Sequence, residues 1–207
     1  MEVTTIHLLL IRHGQTPGNR EKRYIGCRTD EALSPEGEAQ LLQLRGELPG
    51  KCPFPLCGAQ VFCGPMLRCR QTAQLLFPER EAHIAPGFTE TDFGAFEGMN
   101  YAQLNGDPAY QAWIDGGGIG GFPGGEDRAH FIARSMAAWN MLLPQLGESN
   151  VLVCHGGNIM AVLSSLTGRD YFDFQLANGE GISLSLQLTG EEVHVLSYHR
   201  LCGGLSA

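Results

Sequence analysis

The chain reads as short apolar runs separated by amphipathic stretches. Residues 6–11 form an apolar run with polar residues on both sides, the pattern of a strand buried on both faces. Ser34-Pro35-Glu36 supplies a capping hydroxyl and a proline at the first helical position. Leu41, Leu42, Leu44 and Leu48 then give that helix an apolar face up to Pro49. Residues 59–63 predict a second strand, followed by Gly64-Pro65 and a helix through Leu76 that Pro78 stops; residues 82–85 predict a weaker strand. Further on, a long helix is expected over about 125–146, a strand over 151–154, and a helix over 158–166 after Gly156-Gly157. Residues 182–188 and 193–199 flank Thr189-Gly190 and predict a hairpin.

This alternation predicts an α/β fold, a three-layer α/β/α sandwich around a largely parallel sheet, with the terminal hairpin adding an antiparallel edge. At 207 residues the chain makes one domain, 1–207. It carries a Gly-rich insertion at 98–125, in which Tyr101, Tyr110 and Trp113 are interspersed. Short helices and a lid-like segment over a site are expected there, with a plain surface loop as the competing reading.

Composition narrows the partners. A net charge of -8 argues against nucleic acid, whose backbone needs a basic surface. The positive charge is nevertheless concentrated: Arg12, Arg20, Lys22, Arg23 and Arg28 place five of the 14 basic residues within 17 positions. Such a run is either a local anion site or a solvated charged loop. Seven irregularly spaced cysteines, some inside apolar runs (Cys63, Cys154), do not form a disulfide framework and point to a reducing compartment. Cys52, Cys57, Cys63 and Cys69 lack the paired ligand spacing of a zinc site. The N-terminus has no positive n-region, and no stretch approaches the ~18 apolar residues of a membrane span. A cytoplasmic protein without membrane contact is expected.

In an open α/β sheet, chemistry collects past the carboxyl ends of the strands. Three groups stand there. Arg12-His13-Gly14 closes the first strand, Arg68 lies in the first turn of the helix after the second, and His155-Gly156-Gly157 closes the fourth. Two guanidiniums bind a phosphoryl group and stay charged at any working pH. Two imidazoles in one place serve as acid and base, or one of them as nucleophile. The helix that begins after Gly157 points free backbone N–H groups at the same spot. These residues predict an anion site with a candidate nucleophilic histidine.

Beyond that, Leu10-Ile11-Arg12-His13-Gly14-Gln15-Thr16 with Asn19 resembles the signature of the histidine phosphatase superfamily, which includes the phosphoglycerate mutases. The resemblance continues through Gly26, Thr29-Asp30, Leu33-Ser34 and Gly37. It then runs through Gly64-Pro65-Met66-Leu67-Arg68 with Gln71-Thr72-Ala73, Glu90-Thr91-Asp92-Phe93-Gly94 with Glu97-Gly98, and His155-Gly156-Gly157. It implies His13 as the nucleophile that becomes phosphohistidine. Arg12, Arg68 and His155 would hold the phosphoryl oxygens, with Asn19, Thr16 and Gly156 also binding substrate. Glu90 would be the general acid and then the base, and no metal or other cofactor is implied. Glu97 reads as a structural partner for backbone or arginine. The sequence departs from the family pattern at Cys63-Gly64 and Cys154, where serines are frequent.

Phe122-Pro123-Gly124-Gly125-Glu126 resembles the phosphatase branch that includes α-ribazole phosphatases. The resemblance therefore implies hydrolysis of a small phosphorylated metabolite, with α-ribazole 5'-phosphate as one substrate. Two alternatives are a cofactor-dependent phosphoglycerate mutase and a non-catalytic protein that binds a phosphorylated ligand. Arg20, Arg23, Arg28 and the aromatics of 98–122 are expected to meet the alcohol, with Arg134 as a further candidate.

Overall fold

The computed structural model describes residues 3–118, 120–190 and 192–201; Ile119 of the Gly-rich segment and the seventh cysteine, Cys202, lie outside them. The strands are β1 (Val3–Arg12), β2 (Gln60–Cys63), β3 (Ala82–Ile84), β4 (Ser149–Cys154), β5 (Gly181–Thr189) and β6 (Glu192–Leu201). The helices are α1 (Pro17–Arg20), α2 (Pro35–Lys51), α3 (Leu67–Leu76), α4 (Tyr101–Leu104), α5 (Pro108–Asp115), α6 (Arg128–Leu142) and α7 (Gly156–Thr167).

The sheet order is β3-β2-β4-β1-β5-β6. β1 through β4 pair in parallel, and β5 and β6 run antiparallel. Both faces of the central strands are buried. Ile6, Leu8, Leu10 and Leu152 pack with Trp139, Ile159 and Val162 of α6 and α7. Leu9, Ile11, Val151 and Val153 pack with Leu41 of α2 and Ala73 and Leu76 of α3 on the other side. Strands covered on both faces read as continuous apolar runs rather than alternating ones, which is why residues 6–11 and 151–154 stood out.

Several boundaries differ from the expectation. The helix expected from 125 begins at Arg128, because the side chain of Asp127 caps it by accepting the His130 N–H at 2.8 Å. α2 continues past Pro49 to Lys51; the proline is exposed, and so is Arg45, whose carbonyl loses its bond to the missing N–H. α7 starts at Gly156, its glycines lying inside the first turn, and ends at Gly168 with φ +69°, a left-handed stop. α1 and the turn Tyr171–Phe174 were not expected. In the Gly-rich segment α4 and α5 are the anticipated short helices, tied to the body by a cluster of Phe96, Leu104 and Tyr110 with Tyr24, Trp113 and Phe122. No helix among the described residues is long and apolar enough to cross a membrane.

Candidate active site

β1 and β4 pair in register, with Arg12 opposite Cys154, so His13 and His155 leave adjacent strands side by side. The His13 N–H donates to the Cys154 carbonyl at 3.0 Å. The two rings meet edge to face, centroids 5.1 Å apart. β2 ends beside β4, where the Gly64 N–H bonds the Val153 carbonyl at 2.9 Å, and the first turn of α3 carries Arg68 into the same space. The sheet thus gathers the three groups that the strand-end rule singled out.

His13 is buried at 2% exposure. Its Nδ1 lies 2.7 Å from the Gly14 carbonyl. A carbonyl can only accept, so Nδ1 carries the proton and Nε2 keeps a free lone pair. Burial, and after it Arg68 and Arg12, holds the His13 pKa well below the ordinary value of 6.5, so the ring is neutral at working pH. The surrounding backbone is fixed from three directions. Gly14 N–H donates to Thr72 Oγ1 at 3.0 Å, Gly179 N–H reaches the Arg12 and His13 carbonyls, and Asn178 Nδ2 donates to the His13 carbonyl at 3.2 Å.

Two guanidiniums stand here, Arg68 buried and Arg12 half-buried. Arg68 is 1% exposed and donates to the Thr29 and Gly26 carbonyls; Arg12 Nη1 donates to the Leu176 carbonyl at 2.6 Å. Among the described residues no carboxylate forms an ion pair with either. Among the described residues, Arg12 Nε, Arg68 Nε and His155 Nδ1 are buried polar atoms with no hydrogen-bond partner. Buried donors left unpaired cost free energy unless a ligand takes them, which suits an anion at this strand end. The N-terminus of α7, 12 residues long with His155 as its cap, adds free N–H groups and a positive dipole end.

Glu90 approaches from the loop after β3, its side chain 12% exposed, with Oε2 3.7 Å from His155 Nδ1. The loop is clamped. Arg134 donates to the Thr89 and Glu90 carbonyls at 3.0 and 2.7 Å and pairs with Glu126, while Asn158 Nδ2 reaches the Thr89 carbonyl at 3.2 Å. A Cβ on Gly157 would stand 2.8 Å from the Phe131 ring and 3.0 Å from Glu90 Oε1, so a larger residue there would press on both. Candidate ligand atoms of His13, Glu90 and His155 lie within 4.8 Å of one another. Burial first, and after it the charges of the site including Arg68 and Arg12, disfavours protonation of both imidazoles.

Above Arg12, Glu90 and Gly156 opens a cavity of about 640 Å³, walled by Tyr24, Phe93, Trp113, Phe122, Phe131 and Tyr171. Arg128 also lines it, its guanidinium 4.8 Å from the Phe172 ring centroid and donating to the Gly118 carbonyl at 3.1 Å.

Not every expected residue reaches this space. Arg20 pairs with Glu36, Arg23 with Glu21 and the Gly98 carbonyl, and Arg28 with Asp92. Their charges are spent within the fold, and none of them lines the cavity, nor does Tyr101, at 63% exposure. Arg134 holds the Glu90 loop instead of facing the cavity. Thr16 is buried as the N-cap of α1, its hydroxyl accepting the Asn19 N–H, and Asn19 Oδ1 accepts from Asn178 Nδ2 at 3.0 Å. Glu97 accepts the Gly26 N–H at 2.8 Å, the backbone partnership expected of it. Asn178, Arg128, Phe131, Tyr171 and Asn158 were not anticipated. They follow no motif; Tyr171 and Asn178 sit in the irregular segment between α7 and β5.

The family model described as histidine phosphatase superfamily (branch 1) matches residues 8–199. A 2-carboxy-D-arabinitol-1-phosphatase of Triticum aestivum is 27% identical over 86% of this chain and 36% of its own length. The chain thus spans little more than a third of that relative. An acid phosphatase of Mycobacterium tuberculosis is 30% identical over 79% of this chain and 77% of its own. A 2,3-bisphosphoglycerate-dependent phosphoglycerate mutase of Gloeobacter violaceus is also 30% identical, over 77% of this chain and 74% of its own. Among solved structures, the α-ribazole phosphatase of Shigella flexneri superposes with a TM-score of 0.74 at 21% identity, covering 98% of this chain and 100% of its own; at that identity the likeness speaks for the fold.

Proposed function

The chain belongs to the histidine phosphatase superfamily (branch 1), and from that premise we propose that it hydrolyses a small phosphomonoester through a phosphohistidine at His13. The observation that carries the reading is the pairing of a neutral imidazole, its Nε2 lone pair free, with buried donors on Arg12, Arg68 and His155 that have no partner among the described residues. In the first step Nε2 attacks phosphorus in line. The bond to the alcohol oxygen breaks as Glu90, in its acid form, protonates the leaving group. In the second step the Glu90 carboxylate takes a proton from water, whose oxygen attacks the phosphorus and displaces His13. Arg12, Arg68, His155 Nδ1–H and the α7 N–H groups around Gly156 hold the three oxygens throughout. Phosphoryl transfer asks mainly for positioning and charge stabilisation, and these groups supply both.

The alcohol would occupy the aromatic cavity, with residues 98–125 acting as its lid. One cation, Arg128, stands there beyond the phosphoryl group, too few for a second phosphate plus a carboxylate, which favours hydrolysis over a mutase. A planar, ring-bearing alcohol suits those walls, and α-ribazole 5'-phosphate is one candidate. The clamp on Glu90 has no purpose in a protein that only binds its ligand. Six unbridged cysteines among the described residues suit a reducing compartment such as the cytoplasm. The test is phosphate release from p-nitrophenyl phosphate, α-ribazole 5'-phosphate, phosphoserine and 3-phosphoglycerate, the last with and without 2,3-bisphosphoglycerate. Ring-bearing esters should be hydrolysed fastest. Interconversion of phosphoglycerates outrunning phosphate release would reassign the chain to the mutases, and no turnover of any ester would leave a binding protein.

A further inference from the structure

His155 is wholly buried, and its two ring nitrogens face different partners. Among the described residues Nδ1 has no hydrogen-bond partner; Glu90 Oε2 lies 3.7 Å from it, where the phosphoryl oxygens would lie. Nε2 lies 3.5 Å from Cys69 Sγ, its one hydrogen-bond partner among the described residues. Cys69 is itself at 0% exposure, in the first turn of α3 and adjacent to Arg68.

Burial, and after it the nearby Cys154, pushes the Cys69 thiol well above its ordinary value, so the sulfur keeps its proton. Burial and then the charges of the site hold His155 neutral. A neutral imidazole has one N–H, and its position decides what the ring can do. With the proton on Nε2, the bare Nδ1 lone pair would face a carboxylate and the oxygens of a phosphate. With the proton on Nδ1, the ring donates into the site and Nε2 needs a donor behind it. The Cys69 S–H is that donor.

We propose that Cys69 is a positioning residue that fixes His155 as the Nδ1–H tautomer, making it a neutral hydrogen-bond donor to the phosphoryl group. This rests on the reading of His155 as a phosphoryl-binding residue. The two histidines then hold the same tautomer for opposite ends. His13 spends its Nδ1–H on the Gly14 carbonyl and presents a bare Nε2, whereas His155 covers its Nε2 with a thiol and presents Nδ1–H.

The test is long-range 1H–15N correlation on histidine-labelled protein, which reports the protonated nitrogen of each ring without turnover. Wild type should show His155 with a protonated Nδ1 and an unprotonated Nε2. Cys69→Ala should move His155 towards Nε2–H and lower kcat for p-nitrophenyl phosphate about 10-fold with KM within about twofold, the scale on which an orienting partner acts. Cys69→Ser, which keeps a donor, should recover part of both. A wild-type His155 protonated on Nε2 overturns the proposal, as does a Cys69→Ala protein that keeps wild-type tautomer and turnover. A protein hydrolysing no ester would sink the phosphatase reading, yet the tautomer measurement would still decide this one.

Discussion

The two ends of the cavity are built in different ways. At the phosphoryl end, His13, Arg68 and His155 are buried within a few residues of strand ends, and the backbone that carries His13 is tied by Thr72, Asn178 and Gly179. At the alcohol end, the walls come from short helices and turns. Ile114 is 46% exposed there, and Arg128 ties the Gly118 carbonyl. The first end is set by the register of β1 and β4; the second is set by how Tyr24, Phe93, Trp113 and Phe122 settle against one another. A rigid end can stabilise a charge distribution that forms only in the transition state, while a loosely tied end chooses which alcohol arrives. Substitutions at the two ends should therefore act on different kinetic constants.

Arg68→Ala should have the largest effect. It removes a buried guanidinium beside the transferring group, and kcat/KM should fall about 10³-fold. Arg68 also helps to hold the His13 pKa down, so its loss raises that value, and the acid limb of the pH–rate profile should move to higher pH. An unmoved limb would mean that His13 does not govern it.

Glu90→Gln sharpens the contrast from the middle of the cavity. A lost proton donor matters in proportion to how badly the leaving group needs one. Alkyl phosphates should lose about 10²–10³-fold in kcat and p-nitrophenyl phosphate less than about 10-fold. Equal losses on both would contradict the assigned role.

At the alcohol end, Trp113→Ala should raise KM for ring-bearing esters about 5–10-fold while leaving kcat within about twofold, the signature of uniform binding. A fall in kcat at constant KM would mean that this end also shapes the transition state.

The smallest expected effect is on stability. The folded-state pKa values of His13 and His155 lie below that of an unfolded histidine, so below about pH 6.5 the unfolded chain takes up protons that the folded chain refuses. Stability is full above that value and declines as pH falls, by at most about 1.4 kcal/mol per group per pH unit. Carboxylates with lowered values, such as Asp92, add their own loss only at lower pH. Urea midpoints at pH 7.5 and 5.5 measure the slope, which a His13→Asn variant should reduce.

The contrast also explains what could be read from the sequence. Strands buried on both faces advertise themselves, and the rule that chemistry lies past their carboxyl ends found Arg12, His13, Arg68 and His155 without any structure. Glu90 follows no strand closely enough for that rule, and only the motif around it drew attention. Asn178, which ties the His13 carbonyl to Asn19, lies more than 150 residues away in a stretch without periodicity. The basic run 20–28 looked like an anion site because sequence does not reveal that Glu36, Glu21 and Asp92 stand opposite it. Arg134 was misplaced for a related reason: its partners, the Thr89 and Glu90 carbonyls, are backbone atoms that no side-chain pattern announces. At the alcohol end, the aromatic residues were visible, but which faces line the cavity depends on their mutual packing.

The most direct measurement is to quench the protein during turnover under alkaline conditions, map the phosphate by mass spectrometry, and assign its nitrogen by 31P NMR. The hydrogen bond from Nδ1 to the Gly14 carbonyl leaves one nucleophilic atom, so an alkali-stable, acid-labile phosphate should be found on Nε2 of His13. A phosphate on Nδ1, on another residue, or on none at all while hydrolysis proceeds would contradict the account.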